Sequence, residues 1–72
     1  MPFQRFSPNR LRYHREAAGL TRTDVAFAAR RSEQSVWLWE RGKVKPPTAV
    51  LEQVASLLGV TVGDFFEEAS DA

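Results

Sequence analysis

Apolar and polar residues recur along this chain with the period of short amphipathic helices, and four of the five periods are preceded by a residue able to cap them. In Phe6-Ser7-Pro8-Asn9-Arg10-Leu11 the Ser7 hydroxyl stands at an N-cap, Pro8 takes the first helical position and Phe6 faces Leu11 as a hydrophobic staple. This predicts a first helix over 8–18, ended by Gly19, because glycine takes the left-handed closing conformation at little cost. Leu20-Thr21-Arg22-Thr23-Asp24-Val25 repeats the device, with Thr21 as cap and Asp24 in the capping-box position. A second helix follows over 22–29, with Val25, Ala26 and Ala29 on its buried side; the small Ala26 lets another helix come close. Ser32 caps a third helix over 33–41, which Gly42 closes.

Lys43-Val44-Lys45-Pro46-Pro47 cannot be helical throughout, since the residue before each proline is pushed toward extended geometry. It reads as a loop carrying two lysines. A fourth helix over 48–58 turns Leu51, Val54, Ala55 and Leu58 inward and stops at Gly59. Val60-Thr61-Val62-Gly63-Asp64-Phe65 is another staple and capping box, predicting a short fifth helix through 67, and residues 69–72 read as a frayed, disordered tail. The expectation is an all-α domain over 1–68, five helices joined by short connections.

At 72 residues the chain is one domain, able to bury roughly 60% of its unfolded surface. With no cysteine, neither a disulfide framework nor a thiolate metal site is available, so packing and caps must carry stability. No apolar run approaches the roughly 18–20 residues that span a bilayer, and the N-terminus lacks the basic-then-apolar order of a signal peptide. A soluble cytoplasmic protein without membrane contact is expected.

The net charge of +1 conceals a polarised chain. Residues 1–45 hold all ten Lys and Arg against four acids, a net +6, whereas residues 46–72 hold five acids and no base, a net −5. One part attracts phosphate and the other repels it.

Two helices of about two turns joined by three or four residues fit a helix-turn-helix, although any small helical bundle could contain such a pair. Gly19-Leu20-Thr21, Val25-Ala26, Ser32, Val36, Trp39-Glu40-Arg41-Gly42, Pro46 and Leu58-Gly59-Val60 narrow the choice. This pattern, spread over 8–66, resembles the lambda-repressor-like family, which includes phage repressors, Cro proteins and Xre-type bacterial regulators. The resemblance implies a five-helix DNA-binding fold whose second helix lies across the backbone while the third reads the major groove.

Carried over by position, the base-reading slots fall on Ser32, Glu33, Gln34, Trp37 and Leu38. Gln34 can pair with adenine N6 and N7 together. Glu33 can accept from cytosine N4, or serve as a negative charge favoured at a helix start. Trp37, a large aromatic at an outward position, suits a thymine methyl, cover for a neighbouring side chain, or a protein interface. Phosphate contacts are implied for Arg22, Arg41, Lys43 and Lys45, and for Arg30 and Arg31 in the turn. In the family an arginine late in the first helix pairs with the glutamate of the Trp-Glu ending. Here these are Arg15 and Glu40, a structural ion pair.

Departures from the family pattern mark further positions. Arg30 stands where the turn usually has glycine, so positive φ there carries strain, and Arg31 replaces a common apolar residue. His14 occupies a commonly apolar slot and Phe27 a commonly polar one. The single histidine lacks metal-spaced partners, and no phosphate loop follows a strand, so the chain reads as no enzyme, with no metal and no cofactor. The expected function is a sequence-specific transcriptional regulator, a bacterial or phage repressor or autoregulator, binding double-stranded DNA at a palindromic operator. A homodimer is expected from the resemblance, through Val62, Phe65 and Phe66, residues that could instead close the core. The alternative is an antitoxin or protein-interaction module on the same fold, with Phe27, Trp37 and Leu38 as the partner surface.

Overall fold

Four hydroxyl residues, Ser7, Thr21, Ser32 and Thr61, open four of the helical segments of the computed structural model, which describes residues 3–69. The chain runs β1 (Phe3–Phe6), α1 (Pro8–Ala17), α2 (Arg22–Ala29), α3 (Glu33–Glu40), α4 (Thr48–Leu58), one 3-10 turn (Val62–Phe65) and β2 (Phe66–Ala69). Ser7 Oγ accepts the Arg10 N–H at 3.2 Å, and Ser32 Oγ accepts the Ser35 N–H at 3.1 Å. Thr21 and Thr61 form complete capping boxes. Their hydroxyls accept from the Asp24 and Asp64 N–H groups, and those aspartates accept the threonine N–H at 2.8 and 2.9 Å. α4 has no side-chain cap, its first turn following Pro47 directly.

The expected all-α, five-helix architecture is corrected at both ends of the chain. The predicted fifth helix is a single 3-10 turn, after which Phe66 at φ −115°, ψ 151° leads into β2. β2 runs antiparallel to β1 in the register Phe3↔Ala69, Gln4↔Glu68, Arg5↔Glu67 and Phe6↔Phe66. The pairing satisfies backbone groups that a fraying helix end would leave open, and the Ser7 N–H adds a 2.7 Å bond to the Phe65 carbonyl. The Phe6 and Phe66 rings meet edge to face at 6.3 Å. Ala69, assigned by sequence to the tail, is buried in β2; residues 70–72 lie outside the described residues.

One core unites the helices. Leu11 of α1, Val25, Ala26 and Ala29 of α2, Val36 and Trp39 of α3, and Val50, Leu51, Val54 and Ala55 of α4 close around Phe65. Phe65 is wholly buried, so of the two readings its sequence position allowed it takes core closure and not an exposed dimer contact; Val62 and Phe66 are half-buried against the same core. Leu58, expected inside, is only partly buried, and Val50 takes the inward place instead. Among the described residues no helix is long and apolar enough to cross a membrane.

The turn between α2 and α3 has the geometry anticipated for its glycine position. Arg30 sits at φ 56°, ψ 43°, the left-handed region, while its N–H donates to Phe27 O at 3.2 Å and the Arg31 N–H donates to Ala26 O at 3.0 Å. An L-residue with a Cβ is strained there by about 1 kcal/mol. Arg30→Gly is therefore expected to raise unfolding free energy by up to about 1 kcal/mol in urea titrations; a destabilised variant would show that the arginine makes contacts outweighing its strain.

Asp24 and Asp64 are held below the ordinary carboxylate range, chiefly by the backbone N–H groups of Thr21 and Thr61, with the threonine hydroxyls adding to this. A carboxylate with a lowered folded pKa contributes stability above its unfolded value, near about 4, and loses it as pH falls through the folded value. Melting temperature should thus fall on acidification below about pH 4. Asp24→Asn combined with Asp64→Asn should flatten that acid limb, and an unchanged limb would place the acid sensitivity elsewhere.

Candidate nucleic-acid interface

α3 is fastened at both ends. At its C-terminal end the Glu40 carboxylate, almost fully buried, receives Arg15 Nε on Oε2 at 2.6 Å and Arg15 Nη2 on Oε1 at 3.1 Å. Oε1 also accepts Arg22 Nε at 3.0 Å, and Arg15 Nη1 reaches the Leu20 carbonyl at 2.9 Å. One carboxylate therefore joins α1, α2 and α3. Hydrogen bonding to Glu40 holds the Arg15 guanidinium above its ordinary pKa, against the opposing effect of burial. At the N-terminal end Thr23 Oγ1 donates to Glu33 Oε2 at 2.9 Å, bridging α2 to α3. Gly42 closes α3 beside α1, at φ 73°, where an added Cβ would come within 3.3 Å of Pro8 Cγ.

These contacts redistribute the roles assigned by sequence. Val36 and Trp39 are buried, leaving the opposite face of α3 to Gln34, Trp37 and the half-buried Leu38. Gln34 is exposed near the first turn. Ser32 and Glu33 are exposed too, but Ser32 Oγ is engaged with the Ser35 N–H and hydroxyl, and Glu33 is turned back toward Thr23. Arg22, expected on phosphate, spends its Nε on Glu40. Trp37 carries the Arg41 guanidinium over its ring, 5.0 Å from the centroid. Of the three residues considered for a partner surface, Phe27 alone stands almost wholly in solvent, at 86% exposure.

The basic residues fall into two groups. Arg15 and Arg22 serve Glu40, Arg12 pairs with Glu16 along α1, Arg5 with Glu67 across the strands, and Arg10 donates to the Phe66 carbonyl. Arg30, Arg31, Arg41, Lys43 and Lys45 are exposed, and among the described residues none of them pairs with a carboxylate. All five lie immediately before or after α3. Lys45 also stands over the Phe66 ring at 5.5 Å. Among the described residues no cluster of three or more His, Asp or Glu is arranged to hold a metal ion.

Thr23 is the site residue that sequence reasoning missed. Its partner Glu33 lies ten positions away on another helix, beyond the reach of local periodicity. The only signal was the placement of a hydroxyl in the first turn of α2 and a carboxylate in the first turn of α3.

Comparison with known proteins agrees with this geometry. The family profile described as a helix-turn-helix domain matches residues 9–65. Among solved structures, the clp gene regulator ClgR from Corynebacterium glutamicum is similar at 31% identity and a TM-score of 0.76, over 81% of this chain and 62% of that one. The chain thus spans less than two thirds of the length of that protein. The restriction-modification controller protein C.AhdI from Aeromonas hydrophila is similar at 26% identity and a TM-score of 0.75, covering 81% of this chain and 88% of that one. A hypothetical transcription factor, NHTF from Neisseria, shares the fold at 21% identity and a TM-score of 0.72, over 81% and 67% of the two chains. No curated protein matches the chain.

Removing one partner from a buried, bidentate ion pair strands the other charge and costs about 3–5 kcal/mol. Glu40→Ala is expected to lower the melting temperature by at least roughly 12 °C at this chain length. Thermal denaturation followed by circular dichroism measures it, and a shift of only a few degrees would show that other contacts fasten α3.

Proposed function

The chain belongs to the helix-turn-helix domain family, of the Cro/C1 type, and from that premise we propose that it is a sequence-specific transcriptional regulator reading the major groove of double-stranded DNA with α3. Members of this family act by binding and are not enzymes. The observation that carries the reading is the bracket of five bases without carboxylate partners among the described residues, Arg30, Arg31, Arg41, Lys43 and Lys45, around the exposed face that holds Gln34. Paired bases lose much of their field to their partners; unpaired ones at both ends of a helix present a positive rim to two phosphate strands.

In this reading the rim sets register and affinity, and Gln34 supplies base discrimination by pairing with adenine N6 and N7. Leu38 offers an apolar edge to a thymine methyl. Glu33 acts through α2, keeping the start of α3 in place. Binding as a homodimer to a palindromic operator presents two such helices one turn of duplex apart. Val62 and Phe66, with the exposed Leu57 of α4, are the apolar residues proposed for the dimer contact. The protein acts in the cytoplasm, on the nucleoid, most simply as a repressor or autoregulator that occludes its own operator. ClgR and C.AhdI, described as a gene regulator and a controller protein, support a regulatory role.

Phe27 favours a second reading, in which the same fold also holds a protein partner, as an antitoxin does. Salt separates the two. A DNA reader loses affinity with a log–log slope near −0.9 per neutralised phosphate, whereas an apolar protein contact barely responds.

Selection from a random duplex library tests the proposal directly. Enrichment of a palindrome is the expected result, and failure to enrich any sequence would overturn it. On the selected duplex Gln34→Ala should cost about 1–3 kcal/mol while sparing random-sequence DNA. Lys43→Ala should weaken both duplexes alike and make the salt slope shallower by about 0.9.

A further inference from the structure

We propose that Trp37 is a positioning residue for Arg41, and that the group presented to DNA at this point of α3 is the guanidinium and not the indole. This rests on the DNA-binding reading above and assigns Trp37 one of the three roles its sequence position left open.

The two residues are four apart, so they share one face of α3. The Arg41 guanidinium lies 5.0 Å from the centroid of the Trp37 ring. Arg41 caps the C-terminal end of α3, and its own N–H donates to the Trp37 carbonyl at 3.0 Å, so backbone and side chain are tied to the same residue. The helix dipole also favours a cation there. A guanidinium held over an aromatic ring still has N–H donors able to fork a phosphate. Among the described residues no carboxylate competes for it.

A thymine methyl seated on the ring face that carries the guanidinium would have to displace or desolvate that cation. Trp37 is 39% exposed, far less than Phe27 at 86%, although both are large residues on outward faces of short helices. A long arginine side chain normally surrenders rotamer freedom when it grips phosphate. Here the aromatic platform restricts it beforehand, so less is lost on binding. Trp37 thereby raises affinity for every duplex, with no preference for sequence.

The test is a double-mutant cycle on the full chain, using the selected duplex and a random-sequence duplex of equal length. Trp37→Leu should weaken both about three- to fivefold, the ratio expected of an exposed cation–π contact. In an Arg41→Ala background the same change should have no further effect. Trp37→Tyr keeps an aromatic face and should restore most of the affinity, which a merely space-filling role would not require. Circular dichroism melting controls for folding. A Trp37→Leu loss confined to the selected duplex, or persisting after Arg41→Ala, would make Trp37 a direct reader and overturn the inference while leaving DNA binding intact. Absence of salt-sensitive binding by the unaltered chain would instead remove the DNA-binding reading and this inference with it.

Discussion

The Glu40 carboxylate is the junction on which the geometry of the interface depends. It lies in the interior at the end of α3 and receives three N–H donors from α1 and α2. A buried carboxylate gains little net stability from pairing, because desolvation offsets most of the attraction. Its effect is on direction. Apolar packing of Val36 and Trp39 tolerates small rotations of α3, but a bidentate Arg15 fork with Arg22 on the same oxygen allows few. The Thr23–Glu33 bond fixes the other end, so the exposed face is aimed by polar contacts at both termini.

Against that rigid frame the α2–α3 turn is a place of local conflict. Glycine would close it without strain, yet Arg30 occupies the left-handed position and Arg31 follows it. Each local rule is satisfied elsewhere in the pair: caps on both helices, a small residue at the crossing, apolar residues inward. A violation confined to one basic turn beside an exposed helix face suits a surface that exchanges some stability for positive charge.

The charge pattern has two layers. Composition separates a basic part from an acidic one, but half of the basic side chains are engaged by other groups of the chain, on Glu40, Glu16, Glu67 and a backbone carbonyl. Those that remain cluster around α3. Gln34, Arg41, Lys43 and Lys45 were legible as interface candidates through the family resemblance carried over position by position. Arg22 was legible as a base beside the interface, not as a partner of Glu40. Trp37 was visible as an outlier, but its burden, the Arg41 guanidinium, depends on a side-chain conformation that spacing permits without requiring.

By itself the sequence determined what is local. Ser7, Thr21, Ser32 and Thr61 start helical segments because a hydroxyl satisfies N–H groups within three residues, and Gly19, Gly42 and Gly59 end them for an equally local reason. The apolar period then chose the buried faces. Only the tertiary structure decided the ends of the chain. A two-stranded sheet of four-residue strands is not stable alone, so neither β1 nor the conversion of the fifth helix to a 3-10 turn and β2 carries a local signal. It forms because the core brings together segments some sixty residues apart, burying Phe65 and Ala69 and leaving backbone groups that only the opposite terminus can satisfy.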